Sequence, residues 1–233
     1  MLACQNFSAD KFMNQRTAQT FLSELIGSSM PGESIIATIL PLCPEVQLYL
    51  VSSQTPGSQS IQANISQLME TPPYWALCWA GGQVLARYIL DHPEMVKGKT
   101  VVDFGAGSGV VAIAAAMAGA RQIYACDIDP NAIEAIKANA QLNHVELETC
   151  ESIDNINRPI DLILAADLLY DDKNLPLLQQ FQSCAERVLV ADSRYTQFDQ
   201  PNQTLLLQTD AATCPDLDNT GEYSRVSVYK FIE

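Results

Sequence analysis

The sequence predicts an α/β fold. Its centre is a mostly parallel sheet covered by helices on both faces, closed by a C-terminal antiparallel hairpin and preceded by a helical/β extension. Three observations predict it. From residue 73 onward, short β-type runs alternate with longer helical ones, the pattern of βαβ units. The β-type runs VVDF, LILAA and VLVA are continuously apolar, as strands buried on both faces are. The last two β-type runs have no long helical pattern between them, so they are expected to pair antiparallel.

The elements follow in order. Ala18, Phe21, Leu22, Leu25 and Ile26 recur at helical spacing within residues 10–26, and Gly27 is expected to stop that helix. Residues 34–52 read as a β region broken at Pro41 and Pro44 and ending in VQLYLV. The stretch 52–60 is a loop by composition, and 61–69 a short helix. Thr71-Pro72-Pro73 marks a boundary, because proline fixes its own φ and pushes the residue before it to extended geometry. It divides an N-terminal extension, 1–72, from a core domain, 73–233.

The core then reads helix 81–91, strand 100–105, Ala-rich helix 109–119, strand 122–127, helix 130–143 and strand 145–150. Strand 161–167, helix 174–186 and strand 187–192 follow, then the closing strands QTLLLQT and RVSVYKF. Pro130 suits the first turn of its helix, where the missing N–H is no loss.

Composition excludes several function classes. The chain has 233 residues, 48% of them apolar and 17% charged, enough for a sizeable core. No run approaches the ~20 apolar residues of a membrane span. Thirteen Lys+Arg against 27 Asp+Glu give a net charge of −14 with no basic cluster. That disfavours nucleic acid and favours a basic protein surface as partner. The seven cysteines are scattered singly, without a C-x-x-C pair, and only His92 and His144 accompany them. Neither a disulfide framework nor a metal site is expected. Cys126 in IYACD is expected to be a small buried hydrophobe. The first thirty residues lack a signal-peptide pattern, so a reducing, cytoplasmic location is expected.

The candidate site begins at VVDFGAGSGVVAIAA, which sets Gly105, Gly107 and Gly109 between a strand and a helix. Glycines there let a ligand approach backbone N–H groups at the helix N-terminus. A dinucleotide fingerprint would need glycine at 110, which is Val, and there is no G-x-x-x-x-G-K-[ST]. G-x-G-x-G with Asp103 two residues ahead resembles the S-adenosyl-L-methionine loop of seven-strand, Rossmann-like methyltransferases. Asp103 is expected to organise the loop, with the methionine amino group as its further candidate partner.

Asp127 ends the next strand, where an acid accepts hydrogen bonds from both ribose hydroxyls. Its neighbour Ile128 is a further candidate cofactor contact. Asp129 is expected to cap the helix beginning at Pro130. The adenine contact is expected after strand 145–150, from Glu151 or Asp154, and Asp154 is taken as the candidate.

Asp167 in D-L-L-Y follows the apolar strand LILAA, at the sheet edge where an acceptor would meet the donor. The Asn/Asp-Pro-Pro-aromatic motif of base-amine and glutamine-amide methyltransferases is absent. D-x-x-Y resembles instead the corresponding motif of protein lysine methyltransferases. Asp167 and Tyr170 are therefore the candidate catalytic pair, and Asp167 also a cofactor neighbour.

The likeness extends further. TPPYWALCWAGGQVLARYILDHPEMVKGKTVVDFGAGSG, PLCPEVQLYL, DLLY and the ending PDLD…EYSRVSVYKF are similar to segments of the electron-transfer-flavoprotein β-subunit lysine methyltransferase family. The resemblance covers most of residues 35–233. It implies S-adenosylmethionine-dependent methylation of lysines on that β-subunit, and it places Trp79, Gly81, Gly82 and Gln83 at the cofactor entrance. Two departures stand out: residues 51–71 lack a tryptophan, and ADSRYTQ stands where the family has a fuller D-P-x-R. The alternatives are a methyltransferase for another protein, such as a ribosomal protein, or for a small-molecule amine, and a non-catalytic cofactor-binding scaffold.

Overall fold

The structure is a computed structural model, and it describes residues 15–52, 73–169, 172–195, 202–216 and 225–232. Helix α1 spans Gln15–Ser29, and β1 (Ile35–Ile39) and β2 (Gln47–Val51) pair antiparallel in a separate two-stranded sheet. The core follows as α2 (Ala80–Asp91), β3 (Thr100–Phe104), α3 (Val110–Met117), β4 (Gln122–Cys126), α4 (Pro130–Leu142) and β5 (Glu148–Cys150). Then come β6 (Leu162–Ala166), α5 (Leu177–Cys184), β7 (Arg187–Asp192), β8 (Gln203–Asp210) and β9 (Arg225–Ile232).

The seven-stranded sheet has the order β5-β4-β3-β6-β7-β9-β8. Strands β3 to β7 are mutually parallel, and β9 pairs antiparallel with both β7 and β8. The strand order reverses beside β3, between β4 and β6. In open α/β sheets a ligand crevice forms at such a switch point, outside the carboxyl ends of the strands.

Three differences from expectation have local causes. Helix α1 runs through Gly27 to Ser29. A helical glycine costs only about 1 kcal/mol, and buried Ile26 and Met30 on either side hold the turn. Strand β5 is shorter than the run 145–150, because Val145 N–H still bonds back to the Ala140 carbonyl at the end of α4. Cys126 is buried as expected, but Cys126 and Cys150 form a disulfide rather than standing singly. They are register partners on adjacent parallel strands, a proximity that a separation of 24 residues hides. The short helix expected at 61–69 lies outside the described residues.

Helix α1 and strands β1 and β2 pack on α4. Ala18, Leu22 and Ile26 of α1 pack with Tyr49 and Val51 of β2, Trp75, and Ala132 and Ala135 of α4. Asn139 of α4 and Asn143, its C-cap, bond the outer edge of β2: Asn139 Oδ1 accepts from Tyr49 N–H at 2.7 Å, and Asn143 Oδ1 from Gln47 N–H at 2.9 Å. Among the described residues, no helix is long and apolar enough to cross a membrane.

Candidate active site

The loop 105–109 turns from β3 into α3 with positive φ at Gly105, Gly107 and Gly109 (68°, 52° and 81°), a region a side chain rarely adopts. It is held from three sides. The Cys126 carbonyl of β4 accepts from the N–H groups of Gly105 and Ala106 at 2.9 and 3.0 Å. Asp127 Oδ2 accepts from Gly107 N–H at 2.8 Å. The Ser108 carbonyl accepts from Asn139 Nδ2 at 2.8 Å. A Cβ on Gly105 would collide with Leu168 Cδ1. The loop after β6 therefore lies directly against the glycine loop.

Asp103 is 2% exposed, and its Oδ2 accepts from Ala112 N–H of α3 at 2.9 Å. It thus caps a free N–H in the first turn of α3, since Gly109 offers no side chain for that purpose. Burial, followed by the nearby Asp127 charge, pushes its carboxyl up to about 7, against the pull of the Ala112 bond.

Asp127 uses both oxygens on backbone, Oδ2 on Gly107 and Oδ1 on Asp129 N–H at 3.0 Å. Burial raises its pKa. Each carboxylate oxygen keeps a second lone pair for another donor. Asp129 caps α4 as expected, accepting from Asn131 N–H at 2.8 Å. Ile128, next to Asp127, is 88% exposed, an apolar side chain that the core does not use. Asp154 stands exposed in a single 3₁₀ turn after β5, its N–H bonded to Ser152 Oγ.

Asp167 follows β6 with φ of 50°, a sparsely occupied conformation for a non-glycine residue. Its carboxylate points at the N-terminus of α2, where Oδ2 accepts from Gly82 N–H at 3.0 Å. A Cβ on Gly81 would stand 2.6 Å from Asp167 Oδ1. Asp167 is thus the trans cap of α2, whose own N-cap residue, Trp79, makes no capping bond. Burial, then the charge of Asp192, lifts Asp167 to about 7, against the pull of the Gly82 and Gly81 N–H groups and of Arg194. Tyr170 lies outside the described residues.

The pre-core stretch divides by burial. Trp75 is 2% exposed and belongs to the core, whereas Trp79 is 37% exposed, tilted against Tyr74, and donates Nε1–H to the Tyr74 carbonyl. Gly82 packs on Val110, where a Cβ would meet Cγ1 at 3.1 Å. Gln83 is buried; its Nε2 donates to the Ala212 carbonyl at 2.7 Å, and its Oε1 has no hydrogen-bond partner among the described residues.

These features fit S-adenosylmethionine. The loop offers backbone at the N-terminus of α3, Asp127 has lone pairs to spare, Ile128 presents an apolar face, and Gln83 Oε1 is a buried acceptor lacking a donor. Among the described residues, no group of His, Cys, Asp or Glu is arranged to hold a metal ion.

Comparison with known proteins agrees. The electron transfer flavoprotein beta subunit lysine methyltransferase of Homo sapiens is 37% identical over 191 residues, spanning 78% of this chain and 72% of that protein. The chain belongs to this lysine methyltransferase family. The Mus musculus member is 39% identical over 191 residues, spanning 78% of this chain and 74% of its own length. A family model described as ribosomal protein L11 methyltransferase matches residues 84–171. The crystal structure of magnesium protoporphyrin IX methyltransferase from Synechocystis with bound S-adenosylmethionine superposes with a TM-score of 0.53 at 12% identity. It covers 98% of this chain and 100% of that one, and it shows the shared fold.

Sequence reasoning missed three contributors to this candidate site. Asn139 joins the glycine loop to β2, Cys78 lies against Ser108 and near Asp167, and Asp192 braces the loop after β6. Of these, Asp192 carried a visible signal. It ends an apolar strand as Asp127 and Asp167 do.

Proposed function

We infer that the protein is an S-adenosylmethionine-dependent protein-lysine N-methyltransferase acting on the β-subunit of electron transfer flavoprotein. Relatives bearing that name support the reading. The observation that carries it is Asp167, a half-buried carboxylate at the carboxyl end of β6 that faces the N-terminus of α2, in a loop lying against the glycine loop.

The chemistry follows from the acceptor. A free lysine holds its proton up to a pKa of about 10.4, so the site must accept it after that proton has gone. S-adenosylmethionine, when bound, supplies a methyl group activated by a positive sulfur. As the amine nitrogen takes on a fourth substituent it becomes positive, and Asp167 is placed to face that charge. A carboxylate lifted to about 7 is also a better hydrogen-bond acceptor for an amine N–H than an ordinary one. Asp127 would hold the ribose, Ile128 the adenine face, Asp154 the adenine amino group, and Gln83 Oε1 a donor at the methionine end. Tyr170, three positions after Asp167 in the chain, would bond the amine. A net charge of −14 suits a basic, lysine-bearing protein surface. We place the protein in the cytoplasm, because four of its six described cysteines, Cys43, Cys78, Cys184 and Cys214, remain free thiols beside the one Cys126–Cys150 bond.

The test is mass spectrometry of purified electron transfer flavoprotein before and after incubation with the protein and the methyl donor. Methyl groups on β-subunit lysines are expected. An unchanged β-subunit, with label appearing on another protein in a lysate, would replace the substrate.

A further inference from the structure

Aspartates stand at or beside the carboxyl ends of β3, β4, β6 and β7. The function above uses Asp127 and Asp167, Asp103 caps α3, and Asp192 braces the loop after β6 without a part in that chemistry. Asp192 is 1% exposed. Its Oδ2 accepts from Leu169 N–H at 3.0 Å, and its Oδ1 from the N–H groups of Arg194 and Tyr195 at 2.8 and 3.1 Å. One buried carboxylate thus joins the loop that carries Asp167 to the loop that leaves β7.

The rest of the Asp167 loop is braced from the same side. Asp167 N–H bonds to the Ala191 carbonyl at 2.9 Å, and the Leu168 carbonyl accepts from Asn174 Nδ2 at 2.8 Å. Strands β6 and β7 pair as far as Ala166 and Ala191, so Asp192 acts on the next step of the ladder. A left-handed aspartate persists only where its surroundings over-determine it, and Asp192 supplies part of that constraint. Among the described residues, the charged and titratable groups facing Asp167 are Asp192 and Arg194 from the β7 side and the Cys78 thiol from the α2 side, along with the Gly81 and Gly82 N–H groups.

We propose that Asp192 is a positioning residue for methyl transfer: its carboxylate fixes the backbone of the Asp167 loop, and its negative charge acts on Asp167. The proposal rests on the lysine methyltransferase reading. Asp192 touches neither acceptor nor donor; it governs where Asp167 stands and how readily it ionises.

The experiment compares the parent with Asp192→Asn, using purified electron transfer flavoprotein β-subunit as substrate and calorimetry for S-adenosylmethionine. Because a misplacement near 1 Å costs about a hundredfold in rate, a fall in kcat of roughly tenfold to a hundredfold is expected with cofactor affinity within about twofold. The profile of log kcat/KM against pH should also change. Free lysine imposes a steady rise with pH, and Asp167 adds a break near 7 in the parent. Loss of the neighbouring charge should move that break to lower pH, a displacement that a merely structural role would not produce. Asp192→Glu, which keeps the charge while moving it, should lose rate and keep the break. Infrared titration of the Asp167 carboxyl in enzyme without substrate, with Asp167→Asn as the blank, should show the same shift.

An unmoved break and unmoved infrared titration in Asp192→Asn would overturn the proposal. So would a loss of cofactor affinity as large as the loss of rate. Failure of the parent to methylate the β-subunit would count against the proposed substrate alone, since the infrared titration still decides the role of Asp192.

Discussion

Gly81→Ala is the sharpest single perturbation of this site. The added Cβ would stand 2.6 and 2.7 Å from the two carboxylate oxygens of Asp167. An unstrained C···O contact lies near about 3.4 Å, so the carboxylate must retreat by roughly 0.7 Å. Asp167 Oδ2 already sits 3.0 Å from Gly82 N–H, and that retreat would take the bond beyond useful length. The α2 N-terminus would lose its cap, worth about 0.5–2 kcal/mol. A hydrogen bond to a charged group would go with it, worth about 1.5–3 kcal/mol. The two describe one interaction and do not add, so a loss of about 1–3 kcal/mol is expected. In a chain of this size that is roughly 2–12 °C in Tm. Methyl transfer should fall by about a hundredfold, since Asp167 moves by nearly the distance that costs that much. The assay is thermal unfolding together with turnover for Gly81→Ala, Asp167→Ala and the double variant. Asp167→Ala removes the atoms the new Cβ would strike, so the stability losses should be strongly non-additive. Gly27→Ala is the control, because nothing lies within 4 Å of its added Cβ and it sits inside α1; it should stabilise by up to about 1 kcal/mol. A Gly81→Ala protein as stable as the parent, or additive losses in the double variant, would refute the reasoning.

Three further outcomes are expected. Asp127→Ala should weaken S-adenosylmethionine binding by about 1–3 kcal/mol in calorimetry, whereas Asp129→Ala should cost about 1 kcal/mol of stability through its lost cap and leave affinity unchanged. Asp103 and Asp167 both titrate near 7 in the folded protein and near 4 when unfolded. Between those values the folded state holds more protons, so their contribution to stability is full below about pH 4 and is lost as pH rises through about 7. Denaturant titrations of the cofactor-free protein should show that decline, and Asp103→Asn should flatten it; a rise across the window in the parent would contradict the assignment. Asn139→Ala removes the acceptor of Tyr49 N–H and the donor to the Ser108 carbonyl. It should cost about 1–3 kcal/mol per hydrogen bond lost and weaken cofactor binding, read together by calorimetry and unfolding.

Much of the fold was legible because it is written in short-range pattern. The continuous apolar runs marked β3, β6 and β7, Gly105-x-Gly107-x-Gly109 marked the turn into α3, and Pro130 behind Asp129 marked the start of α4. Asp127 and Asp167 were visible as acids closing apolar strands, and Asp129 as a cap, since each depends on immediate chain neighbours. The two tryptophans were not separable in that way. Trp75 and Trp79 sit in one polar-free stretch, and only the packing of α4 and β2 against Trp75 takes it inside.

The amino-acid sequence by itself determined the alternation of elements, the glycine turn and the acids at the strand ends, because periodicity, φ preference and capping act within a few residues. Tertiary structure decided what those acids touch. Asp167 reaches Gly82 across 85 positions, Asn139 reaches Tyr49 across 90, and Cys150 lies beside Cys126. Each pairing depends on strand order and register, and β9 enters between β7 and β8 rather than beside its chain neighbour alone. Register is set by burying apolar faces of segments far apart in the chain, so the partners of a buried carboxylate exist only once the whole sheet has formed.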